Sequence, residues 1–145
     1  MGNESPLFIV NPASGGGRTA RRWPRLAAVI EEAGLAADAV HTEARGHGTG
    51  LAAEAIRAGR TLLVAVGGDG TTNEVASAVL AAGAGDDVRL ATIGMGTGKD
   101  IAKCLGVGNP RQAIRAIADG SERRVDAGRV ICRDASGESV VRFFL

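Results

Sequence analysis

The residues best equipped for chemistry stand together at Gly67-Gly68-Asp69-Gly70-Thr71-Thr72-Asn73-Glu74. Backbone N–H groups at the start of a helix form an anion site, and glycines let phosphate oxygens approach the chain closely. Asp69 is negative and would repel a phosphate unless a cation lay between them. An acid inside such a loop therefore points to a Mg²⁺-nucleotide, or to a hydroxyl that must lose its proton. Thr71 and Glu74 also have the Thr-x-x-Glu spacing of a capping box, which predicts that they simply start the helix.

Two further glycine clusters follow apolar runs: Ala13-Ser14-Gly15-Gly16-Gly17-Arg18 and Gly94-Met95-Gly96-Thr97-Gly98-Lys99-Asp100. The latter resembles a Walker A phosphate loop but departs from it. Ile93 stands where the first glycine belongs, and Asp100 where a Mg²⁺-binding Ser or Thr belongs. Lys99 stands where a dinucleotide fingerprint needs its last glycine. An ordinary P-loop enzyme and an ordinary dehydrogenase are both disfavoured.

The elements that must position these loops are legible as alternating strands and helices. Leu7–Val10, a segment ending near Val40-His41-Thr42, Thr61–Val66 and Val88–Ile93 read as strands. Helices are expected around Leu26–Ala33 with Pro24 near the first turn, around Leu51–Ile56, after Gly70, over about Asp100–Leu105, and from Asn109-Pro110 to Gly120. This alternation predicts an α/β fold: a three-layer parallel-sheet domain with helices on both faces. Each glycine cluster directly follows a strand, so the loops should converge on one crevice beyond the carboxyl ends of the strands. Val125–Cys132 and Ser139–Leu145, joined by Asp134-Ala135-Ser136-Gly137, read as a C-terminal β-hairpin.

The chain has 145 residues, 17 Lys+Arg against 16 Asp+Glu, and a net charge of +1, so no global basic field for nucleic acid is present. Its 22 glycines are roughly twice the usual share. No apolar run is long enough for a membrane span. Met1–Pro6 lacks the pattern of a secretory leader, and Cys104 and Cys132 are too isolated for a zinc site or a disulfide framework, which suggests a cytoplasmic setting. Cys104 is expected in the core, Trp23 in packing and His47 in a loop. Arg18, Arg21, Arg22 and Arg25 form a basic helix face that is either solvated or a contact for phosphate or lipid headgroups.

Taken together, these segments resemble the catalytic domain of diacylglycerol kinases, sphingosine kinases and bacterial lipid kinases. Val10-Asn11-Pro12-Ala13-Ser14-Gly15 is similar to the first nucleotide loop of that family. Gly67 to Val75 is similar to its Gly-Gly-Asp-Gly-Thr-x-Asn-Glu-Val signature, and Gly96 to Lys103 to its Gly-Thr-x-Asn-Asp-Phe-Ala-Arg stretch. Val125-Asp126-Ala127-Gly128 resembles a downstream Asp-x-Gly element. A lone Gly-Gly-Asp-Gly is shared with NAD kinases and phosphofructokinases; the Asn73-Glu74 extension favours the lipid-kinase branch. Lys99 departs from the pattern, standing where the family usually has Asn.

The resemblance implies an NAD kinase/diacylglycerol kinase-like fold and transfer of phosphate from ATP to a lipid hydroxyl. It implies an ATP site lined by Asn11, Pro12, Ala13, Ser14, Gly15, Thr42, Gly67, Gly68, Asp69, Gly70, Thr71, Thr72, Asn73 and Thr97, with Asp69 catalytic and Thr42 near the adenine. Asp100 and Asp126 would help to hold Mg. Peripheral contact at the inner face of a membrane is implied through the substrate, and a homodimer stays open. The apolar ending Val140–Leu145 suggests that the chain is part of a longer one, and the resemblance implies that residues 1–145 are the N-terminal half of a two-domain lipid kinase, with a β-rich second domain absent and little turnover by this half alone. An NAD kinase-like enzyme on a soluble substrate and a non-catalytic nucleotide-binding module are the alternatives.

Overall fold

The computed structural model describes residues 5–145; the opening residues Met1–Glu4 lie outside them. Four strands, β1 (Leu7–Val10), β2 (Ala39–His41), β3 (Leu62–Gly67) and β4 (Arg89–Gly94), form a parallel sheet in the order β2-β1-β3-β4. The register sets Val10 beside Val66, and Gly67 beside Gly94. Parallel strands covered on both faces should be apolar throughout rather than alternating with polar residues, and β1 and β3 are. Leu7, Ile9, Leu63 and Ala65 point to one side, where they pack with Ala52, Ala55, Val75 and Val79. Phe8, Val10, Val64 and Val66 point to the other, against Leu26, Ile30, Ala113 and Ile114.

These contacts place the helices. α1 (Arg18–Glu32) and α5 (Pro110–Ala118) cover one face, and α2 (His47–Arg57) and α3 (Asp69–Ala81) the other, giving the expected three layers. Each fully buried Val, Ile or Phe contributes about 1.5–3 kcal/mol, so β1 and β3 anchor the domain. Trp23 bridges β1 and β2 from α1, with ring centroids 6.0 Å from both Phe8 and His41. α5 has the complete boundary set read from the sequence: the Asn109 side chain accepts from the Gln112 N–H at 3.0 Å, and Pro110 is the first helical residue.

Four expectations need correction. His47, expected in a loop, is the first residue of α2. α1 begins at Arg18, so Pro24 lies well inside the helix rather than near its first turn. The helix starts directly from Gly17, at φ 80°, which lets the glycine loop turn straight into it. Cys104 is exposed, because the short α4 (Asp100–Cys104) buries only Ala102. Residues 125–127 are not strand: the hairpin pairs β5 (Gly128–Arg133) with β6 (Ser139–Phe144). Its turn is organised by Asp134, whose carboxylate accepts from the Ser136 hydroxyl and from the Ser136 and Glu138 N–H groups. The bond from the Ser136 hydroxyl, followed by those from the backbone N–H groups, holds that carboxyl below the ordinary aspartate range.

Candidate functional site

The ladder continues beyond the strand ends and fixes the roots of four loops. Thr42 N–H donates to the Val10 carbonyl at 2.9 Å, Asn11 N–H to Val66 at 2.9 Å, and Met95 N–H to Gly67 at 2.7 Å. Here the three glycine clusters meet, as the strand-end placement predicted. A Cβ on Gly96 would lie 2.6 Å from Gly68 Cα and 3.3 Å from Ser14 Oγ. The loops after β1, β3 and β4 therefore touch at one point. Glycine serves two purposes there. Gly15, Gly16 and Gly17 have φ of 63°, 66° and 80°, conformations that side-chain-bearing residues resist. Gly68 and Gly96 need no such φ; they are small so that two backbones can make contact.

The first turns of α3 act as a hub. Asp69 reaches the β4 loop, where its Oδ2 accepts from Asp100 N–H at 3.1 Å and its Oδ1 from Ile101 N–H at 3.2 Å. That places a carboxylate at the start of α4, a position favoured by the partial positive charge of a helix N-terminus. Thr71 Oγ1 accepts from Asn11 Nδ2 at 3.0 Å, tying α3 to the β1 loop. Thr72 and Thr92 hydroxyls are buried 2.8 Å apart. Asn73 Nδ2 donates to the Phe143 carbonyl of the hairpin at 3.4 Å. Glu74 accepts from Gly46 N–H at 2.8 Å and Gly48 N–H at 3.0 Å, at the start of α2.

The capping-box expectation for Thr71 and Glu74 is thereby overturned. The N-cap of α3 is Gly68, and the helix starts at Asp69. Thr71 and Glu74 already lie within it, and both side chains serve other elements.

The remaining residues divide cleanly. Pro12, Ala13, Ser14 and Gly15 form the β1 loop, braced by Asn11 Oδ1 accepting from Ala13 N–H at 3.1 Å. Thr19 Oγ1 lies 3.1 Å from Ser14 Oγ and 3.2 Å from its carbonyl. Thr42 is buried just past β2, and Gly67 and Gly70 flank the β3–α3 junction. Thr97 is exposed in the β4 loop. Lys99 is half-buried, its stem lying against Gly94, whose added Cβ would sit 3.0 Å from Lys99 Cβ.

Asp100 is next to Asp69 through its own N–H, and its Oδ1 accepts from Lys103 Nζ at 3.0 Å. The bond to Asp100 and that carboxylate's charge hold the Lys103 ammonium above the ordinary lysine value. Asp126 follows α5 and precedes β5. It lines a groove of about 1050 Å³ that includes Thr92, Ala113 and Leu145 and runs beside β4, an edge strand of the sheet. Among the described residues no group of three His, Cys, Asp or Glu could hold a metal. Thr92 and Glu74 were not singled out as site residues from the sequence; Glu74 was visible as a capping-box residue and as part of the signature.

The comparisons with known proteins decide the family. The model of the diacylglycerol kinase catalytic domain matches residues 5–130. The chain belongs to the diacylglycerol kinase catalytic domain family. A diacylglycerol kinase of Staphylococcus aureus (strain bovine RF122 / ET3-1) is 34% identical over 124 residues, which cover 85% of this chain and 39% of that protein. One from Staphylococcus saprophyticus is 35% identical over 127 residues, covering 87% of this chain and 41% of the relative. A crystal structure of a diacylglycerol kinase from Bacillus anthracis str. Sterne has a TM-score of 0.67 and 27% identity, and the match covers 94% of this chain and 47% of that one. This diacylglycerol kinase-family chain thus spans about two fifths of the length of the curated relatives it matches. No helix among its described residues is long and apolar enough to cross a membrane.

Proposed function

We propose that this domain binds Mg-ATP at the junction of its three glycine loops and presents the γ-phosphate to a lipid hydroxyl, diacylglycerol being the substrate class named by its relatives. The observation that carries this is the contact of Gly96 with Gly68 and Ser14, which builds one mouth from three strand ends and sets Asp69 beside it. Asn11 to Gly15, Thr42, Gly67 to Asn73 and Thr97 are the proposed nucleotide-site residues. The lipid-binding part is proposed to correspond to the portion of the longer relatives that has no counterpart in residues 1–145.

In the proposed reaction the bond between the γ-phosphorus and the bridging oxygen breaks as the lipid oxygen bonds to phosphorus. The hydroxyl proton passes to the Asp69 carboxylate, which also orients the acceptor. Positioning and charge compensation supply most of the catalysis in such transfers. Asp69 and Asp100 would help to hold Mg²⁺, which is ordinarily held by one or two carboxylates with phosphate and water. A carboxylate has about four acceptor positions, so the two N–H groups on Asp69 leave room. Bound there, Mg²⁺ would offset phosphate charge beside the two carboxylates. Asp126, which lines the groove beside β4, is proposed to help hold it.

Calorimetric titration of the chain with ATP, with and without Mg²⁺, tests the reading. Saturable binding that strengthens with Mg²⁺ is expected; no binding, or indifference to Mg²⁺, would overturn it. In a protein that carries this domain, phosphoryl transfer to diacylglycerol rather than NAD separates it from an NAD kinase-like enzyme.

A further inference from the structure

We infer that Glu74 is a positioning residue that holds the β2 loop in place for the nucleoside end of the nucleotide. The inference rests on the Mg-ATP reading above and assigns a task that the signature spacing alone does not reveal. Both carboxylate oxygens of Glu74 are used across a long sequence gap, by Gly46 N–H at 2.8 Å and Gly48 N–H at 3.0 Å. Thr49 Oγ1 donates to the Glu74 carbonyl at 3.1 Å, a third tie between the same segments. A Cβ at Gly48 would lie 2.7 Å from Glu74 Oε2, so position 48 is buried beneath the carboxylate and a larger residue there would push the carboxylate aside. α2 has no capping side chain of its own; its N-cap is Gly46, at φ 83°, and Glu74 supplies the acceptors from α3. A charged acceptor on backbone N–H groups at a helix start is among the stronger hydrogen-bonding arrangements.

The sheet order says which part of a ligand this loop can serve. β2 is an outer strand, beside β1 and one strand further from the Gly68–Gly96 contact. A phosphate chain cradled by the β1, β3 and β4 loops lies over the middle of the sheet. Only a ligand extending past β1 reaches Thr42 and the residues after it. Glu74 thus couples the signature helix to the outer wall of the mouth, while Asp69 couples it to the opposite side.

Paired titrations of the 145-residue chain with Mg-ATP and with Mg-tripolyphosphate test this. Glu74→Ala is expected to weaken ATP about tenfold, the loss appropriate to charged hydrogen bonds, while leaving tripolyphosphate within about twofold. Glu74→Gln keeps one acceptor and is expected to fall between wild type and Glu74→Ala for ATP. If Glu74→Ala does not fold, Glu74→Gln decides by the same two titrations. Equal losses for both ligands, or no loss for ATP, would overturn the positioning role. Wild type that binds neither ligand would instead overturn the nucleotide reading beneath it.

Discussion

Gly96→Ala is expected to destabilise the domain by about 2 kcal/mol and to weaken ATP binding by more than tenfold. The added methyl would stand 2.6 Å from Gly68 Cα and 3.0 Å from Gly68 N, so the obstacle is backbone that cannot rotate away. Gly68 cannot retreat freely, because Gly67 accepts from both Met95 and Gly96 N–H groups, at 2.7 and 3.1 Å. The β3 and β4 loops must therefore separate, and the mouth with them. At this chain length the melting temperature should fall by about 4–8 °C. Gly50→Ala is the matched control: it lies in α2 with open space around its Cβ, and alanine there should stabilise by up to about 1 kcal/mol. A Gly96→Ala protein that melts and binds like wild type would show that the loop contact is dispensable.

Asp69→Asn is expected to separate two roles that one carboxylate combines. Structurally, Asp69 serves the N–H groups of Asp100 and Ile101. Asparagine offers one carbonyl oxygen for two donors and carries no charge at the helix start, a loss of about 1 kcal/mol by analogy with capping residues. Chemically, the proposed metal and proton functions both require the negative charge. The Mg²⁺ enhancement of ATP binding should therefore vanish, and phosphoryl transfer by a protein containing the domain should fall by about 100-fold or more. Thermal melting and ATP titration with and without Mg²⁺ distinguish the outcomes. Lower stability with an intact Mg²⁺ effect would leave Asp69 as a cap for α4 and nothing more.

Much of this architecture is legible in the sequence where a signal is local. Thr61–Val66, apolar from Leu62 onward and followed by glycine, reads as a strand, and β3 occupies Leu62–Gly67. Asn109, Pro110 and Gly120 bracket α5 because caps act within a few residues. The meeting of the glycine loops follows from strand alternation, since parallel strands place all the following loops at one edge. What failed depended on distant partners. Thr71 and Glu74 have capping-box spacing, but the same spacing lets Thr71 face Asn11 while Glu74 reaches Gly46 and Gly48. Only the fold brings those residues together. Cys104 looked apolar by type, yet a five-residue helix has little face to bury.

The convergence of the glycine loops on one ligand is most directly tested by mapping amide chemical-shift changes as Mg-ATP is added to isotope-labelled protein. The largest changes should fall together on Asn11–Gly17, Gly67–Asn73 and Met95–Ile101, with smaller ones at Thr42–Gly48 and little along β5 and β6. Changes confined to a single loop, or concentrated in the groove beside β4, would contradict a shared mouth.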